Sequence, residues 1–214
     1  MKKNNRSNNI ILWGLSFGLP WVIIIFPGIG AFQKSVTTWL GLWQIIGELI
    51  LPCSILGILV AGIQYFLLEE NRKIARLWGI ASAIGYSLAL PLGIALDTLI
   101  QFLLTPGLFS GGNTIMIPPV PIAMIIGGMI VGLSQVLVLS KLDSNKQVRT
   151  LRFLWVAVSM LSWGLSFWLW INLENLGIHL RIVSSLTGVF IGLFTGLAFL
   201  FIKRNINSNK LQAV

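Results

Sequence analysis

Three carboxylates stand inside or at the ends of long apolar runs: Glu48 in QIIGELILP, Asp97 in GIALDTL and Glu174 in WINLEN. Brought together at a pore mouth, they would concentrate cations or relay protons, which makes them candidate selectors. The plainer reading is three separately solvated interface residues, with Glu174 near Arg181. Glu48 has apolar residues on both sides and Pro52 one turn on, so its carboxylate needs a partner or a wet cavity. Two amides, Gln64 and Gln135, occupy matched places near the other ends of their runs. They would line a solute path together with the acids, or else glue helices where water cannot compete.

Other chemistry is absent from the sequence. There is no His-x-x-x-His pair, no Gly-x-Ser-x-Gly elbow and no phosphate-cradling loop ending in Lys, so an enzyme is not expected. Cys53 is the single cysteine and His179 the single histidine, a set too small for a metal centre. No cofactor is expected either, because nothing specifies a pigment or lipid beside Trp163, Trp168 or Trp170.

The elements that must position these residues are membrane helices. Of 214 residues, 56% are hydrophobic and only 10% charged, too few charges to cover a water-facing surface. The formal charge of +9 does not indicate nucleic acid, because Lys and Arg punctuate apolar runs instead of gathering on one face. Six runs have about the twenty residues that a bilayer crossing needs: Ile10 to Phe32, Ile45 to Leu68, Leu77 to Leu96, Ile117 to Leu139, Phe153 to Leu173 and Ile182 to Ile202. The basic start and the small residues Gly28 and Gly30 also describe a cleavable signal peptide, but the apolar run continues to Phe32 and reads as a retained first helix. Thirteen of the fifteen Lys and Arg fall on the side of the amino terminus, with only Lys34 and Arg181 opposite. By the positive-inside rule, both termini are expected in the cytoplasm.

The runs repeat. Gly57, Ala61 and Gln64 recur as Gly128, Gly132 and Gln135 and as Gly188, Gly192 and Thr195, a small-x3-small-x2-polar pattern on one helix face. Trp13, Trp78 and Trp155 each begin an odd-numbered run, followed eight residues later by Trp21, Tyr86 and Trp163, and nineteen later by Phe32, Asp97 and Glu174. The expected fold is therefore an all-α polytopic bundle, one domain over 1–214, of six transmembrane helices in three hairpins at about 10–70, 77–141 and 152–204. The small faces would meet inside around a pseudo-threefold axis, and Gln64, Gln135 and Thr195 would form a polar layer near the cytoplasmic end. The tryptophans would form an aromatic belt at the interfaces. The segment from Thr98 to Pro121, rich in Gly and Pro, would cap the bundle as an interfacial loop.

At these repeated residues the chain resembles a loose group of uncharacterised six-span membrane proteins familiar from cyanobacteria. They carry Gly-x3-Gly-x2-Gln, an apolar pair and then a basic loop, and the likeness is best in the hairpins ending at Leu68 and Leu139. It implies a membrane address, bacterial plasma membrane or thylakoid, without an activity. Two functions remain open. One is a small transporter or channel for a solute of unknown identity; the other is a structural or assembly partner in a homo-oligomer or larger membrane complex. Lipids are partners in either case. The cost of Glu48 and the glutamines in lipid tips the expectation toward transport.

Overall fold

The computed structural model describes residues 12–15, 17–18, 20–21, 35–36, 39–67, 72–104, 115–116, 121–139 and 146–212. Helix α1 is helical at each described position between 12 and 21. It is followed by α2 (Trp39–Leu67), α3 (Arg72–Leu104), α4 (Pro121–Leu139), α5 (Lys146–Asn175) and α6 (Leu180–Gln212). In lipid a backbone must satisfy its own hydrogen bonds, and helices do so within the segment. Among the described residues, Leu40–Leu67, Arg72–Leu104, Thr150–Asn175 and Leu180–Phe201 are long and apolar enough to cross a membrane, and Ile122–Val138 is a shorter apolar stretch. This is the make-up of a multi-pass membrane protein. Phe32, placed in the first run by its hydropathy, lies outside the described residues.

Helices α2, α3, α5 and α6 are longer than the apolar segments that announce them, whereas α4 is not. Helix α3 continues past Leu96 to Leu104, which places Asp97 and Thr98 within a helix and not in a loop. Residues 115–116 form a strand, β2 (Ile115–Met116), antiparallel to β1 (Ser35–Val36), with Ser35 opposite Met116 and Val36 opposite Ile115. The chain leading into α2 is thereby tied to the chain leading into α4. The other residues of the expected cap, 105–114 and 117–120, lie outside the described set.

Consecutive helices from α2 to α6 pack side by side. Their buried residues follow helical spacing. On α3, Ala75, Trp78, Ser82, Gly85, Ala89, Gly93 and Asp97 form a buried stripe, while Ile80, Ile84, Leu88, Leu92 and Leu96 on the other face are exposed. Exposed leucine and isoleucine are the expected surface of a helix solvated by acyl chains. Pro52 and Pro91 sit within α2 and α3 without ending them. Each proline removes one backbone donor, and neighbouring helices make such a break tolerable in a membrane span.

The α5–α6 connection is a tight reversal. Gly177 has φ 74°, and Gly177 N donates to Glu174 O at 2.8 Å while Ile178 N donates to Leu173 O at 3.2 Å. A residue with a side chain resists that left-handed conformation, so glycine closes the helix. Arg181 N then donates to His179 Nδ1 at 3.3 Å, which makes the single histidine a cap for α6.

Candidate functional site

Trp13, Trp78 and Trp155 were expected at the membrane interface, but all three are buried and meet inside the bundle. Ring centroids are 6.5 Å apart for Trp13 and Trp78 and 5.4 Å for Trp78 and Trp155. Phe199 from α6 lies against all three, at 5.0, 5.5 and 6.3 Å. The second aromatic set forms another tier: Trp21 is 6.0 Å from Trp163, Tyr86 is 5.9 Å from Trp163, and Phe17 is 5.7 Å from Tyr86. Eight residues of helix rise about 12 Å, so the two tiers close successive levels of the interior.

A tryptophan leaves the interface without penalty only if its N–H finds an acceptor inside. For Trp78 and Trp155 the glutamines provide it. Trp78 Nε1 donates to Gln64 Oε1 at 2.9 Å, and Trp155 Nε1 donates to Gln135 Oε1 at 3.0 Å. Ser82 joins the two pairs: its Oγ donates to Gln64 Oε1 at 2.9 Å and accepts from Gln135 Nε2 at 2.8 Å. A continuous belt thus runs from Trp155 through Gln135 and Ser82 to Gln64 and Trp78, linking α5, α4, α3 and α2. All five residues are buried, so each bond forms where water cannot replace it.

Thr195, the third member of the expected polar layer, does not join. Its Oγ1 donates to Ile191 O at 2.8 Å and lies 3.3 Å from Gly192 O, both on its own helix. Gln64 Nε2 and Ser159 Oγ are buried with no hydrogen-bond partner. Ser159 stands four residues after Trp155, as Ser82 does after Trp78, whereas the residue four after Trp13 is Phe17. Trp21 Nε1 and Trp163 Nε1 in the second tier are likewise unpartnered and buried.

The small residues do not face one another as expected; each packs on the backbone of an odd-numbered helix. A Cβ on Gly57 would stand 2.5 Å from Ala83 O, and one on Gly128 would stand 2.5 Å from Ser159 O. Gly132 faces Val156 and Ser159, and Ala61 lies near Gly79. Gly188 meets Phe17 and Trp21, and Gly192 meets Gly14, where an added Cβ would come within 2.8 Å of its Cα. Close approach of this kind brings Gln and Trp side chains of neighbouring helices within bonding reach.

The three acids are not gathered. Glu48 is exposed, with Gln44 Nε2 at 3.4 Å from its Oε1. Glu174 is exposed and accepts from Trp170 Nε1 at 3.0 Å. Asp97 alone is buried; its Oδ2 accepts from Gln101 Nε2 at 2.8 Å, and its Oδ1 has no partner. Among the described residues no three His, Cys, Asp or Glu side chains are placed to hold a metal ion. Ser82, the serine of the belt, escaped the sequence reading, although a serine four residues after the leading tryptophan in two of three runs, Ser82 and Ser159, was the available sign. A scan against protein-family models finds no match, and neither the curated proteins nor the solved structures yield a similar chain.

Proposed function

We propose that the chain is a structural or assembly element of a larger membrane complex, with six spans, three related hairpins and both termini in the cytoplasm. One observation carries this reading: the polar residues that would have lined a conduit, Gln64 and Gln135, bond to Trp78, Ser82 and Trp155 within a tier of packed aromatic rings. Their cost in lipid, the reason to expect transport, is met by internal partners. What the protein offers to others is its lateral surface, where Gly47 and Gly62 of α2 have nothing within 4 Å of an added Cβ. The distribution of Lys and Arg supports the topology.

A second reading, transport, is favoured by Asp97, a buried carboxylate with one oxygen unpartnered. Cysteine accessibility separates the two. On a Cys53→Ala background, single cysteines at 48, 64, 97, 135 and 174 are probed in the membrane with an impermeant thiol reagent from each side. Assembly predicts silence at 64 and 135. Labelling there would reveal a wet path, overturn the assembly reading and favour transport.

A further inference from the structure

Among the described residues, Asp97 is the one carboxylate that the fold takes inside, with 1% of its surface exposed. It stands eleven residues after Tyr86 on α3, about three full turns, and so shares the side on which Tyr86 packs against Trp163, about 16 Å further along the helix. Gly85 lies against Val131 and Ser134 of α4, and Gly93 against Ala123. The two helices therefore run in opposite directions, and Asp97, one turn past Gly93, is level with the start of α4. The first residue there is Pro121, which has no N–H to donate.

An ionised carboxylate has two oxygens that need donors or a counter-charge. Asp97 Oδ2 accepts from Gln101 Nε2 at 2.8 Å, and Oδ1 has no partner. The flanking helices bring it no cation. Helix α4 holds no charged residue, and the only charged residue of α2 is Glu48, an exposed acid; the titratable Cys53 and Tyr65 of α2 stand further toward its cytoplasmic end. On α3 itself, Arg72, Lys73 and Arg76 occupy the opposite end, about 30 Å away or more. The described residues of α1 are uncharged. At the outer ends of α5 and α6, Glu174, His179 and Arg181 are exposed, and Glu174 accepts from Trp170.

From this we infer that Asp97 is a binding site for a small monovalent cation, a proton or a sodium ion, taken up at Oδ1. A carboxylate inside a membrane bundle is retained only with its charge met, and the Gln101 amide meets one oxygen without supplying a charge. A proton needs Oδ1 alone; a sodium ion would also draw on the amide oxygen of Gln101. A divalent ion would need further carboxylates, and among the described residues no three His, Cys, Asp or Glu side chains are placed to supply them. The site follows from the burial of Asp97 and holds whether the protein assembles or transports.

An apolar carbodiimide tests the unmodified full chain in lipid nanodiscs. The reagent adds only to a protonated carboxyl, taking the proton on nitrogen and the carboxyl oxygen on carbon, and the modified peptide is read by mass. Modification at Asp97 is expected to exceed that at exposed Glu174 about tenfold. Sodium chloride against choline chloride at fixed pH separates the two cations: protection by sodium assigns a sodium ion, and labelling that responds to pH alone assigns a proton. No labelling at any pH, with or without sodium, would mean that a fixed cationic group already meets Oδ1, and labelling no greater than at Glu174 would mean an ordinary solvated acid; either result overturns the site. Asp97→Asn gives a second measure, since it keeps an acceptor for Gln101 and removes the charge. The thermal unfolding midpoint is expected to shift with pH or sodium in the unmodified chain and to lose that response in Asp97→Asn. An equal response in both would overturn the proposal.

Discussion

Helix α2 carries glycine and glutamine on opposite faces, with opposite fates. On one face Gly57 and Gln64 are buried, the first against the α3 backbone and the second in the belt. On the other, a Cβ added to Gly62 would meet nothing within 4 Å, and Gln44 and Glu48 are exposed. Residue type therefore does not decide whether a polar or small side chain organises this bundle. Helical phase does: Gly57 and Gln64 are seven residues apart, nearly two full turns, and share the side that meets α3.

Changes made in pairs, one at a buried position and one at an exposed position, break or sharpen this contrast. The largest effect is expected from glycine. Gly57→Val drives a branched side chain into a backbone carbonyl that cannot rotate away, and should cost about 3 kcal/mol or more in reversible unfolding from mixed micelles. Gly62→Val should stay within about 0.5 kcal/mol. Comparable losses at both positions would mean that the α2–α3 contact is not as close as described.

Next come the amides. Gln135→Leu removes two belt bonds and strands Trp155 Nε1, for an expected loss of about 2 kcal/mol, whereas Gln44→Leu on the outward face should be neutral or slightly stabilising. A double-mutant cycle of Gln135→Leu with Ser82→Ala should show coupling of about 1 kcal/mol by the same unfolding measurement. Strict additivity would break the continuity of the belt at Ser82. Trp155→Phe keeps an aromatic ring but drops the donor, with an expected loss of about 1 kcal/mol, against no measurable change for Trp43→Phe. The smallest effect belongs to Glu174→Gln, whose exposed contact with Trp170 should be worth under about 0.5 kcal/mol.

Much of the helical framework was legible in the sequence because lipid solvation demands long apolar runs, and four of the six runs overlap described helices longer than themselves. The matched spacing of Gln64 and Gln135 pointed to a shared level, and the structure joins them. The orientation of the tryptophans was not legible. An indole near a helix end satisfies its N–H equally well at a headgroup or on a buried amide, and only the partner's position, a tertiary fact, separates the two. The eight-residue echo at Trp21, Tyr86 and Trp163 was the better clue, since it places a second large ring on nearly the same side of each helix. The dispersal of the acids was hidden for a related reason. Equal offset from a buried tryptophan gives Asp97 and Glu174 the same nominal phase, but Asp97 lies inside α3, which continues to Leu104, whereas Glu174 stands exposed at the end of α5, one residue before Asn175. Gln101, which holds Asp97, lies beyond the apolar run that ends at Leu96.

The contact of Gly14 with Gly192 also sets a schedule for biogenesis. These residues are 178 positions apart, so α1 enters the membrane long before α6 has been synthesised. During that interval Phe17, Gly14 and Gly18 face lipid, and the interval lengthens with any pause in translation. Contacts of such long range form late, because the intervening chain must already be ordered. A ribosome stalled within α5 would therefore leave an insertion intermediate with an uncovered first helix, the form most open to membrane quality control.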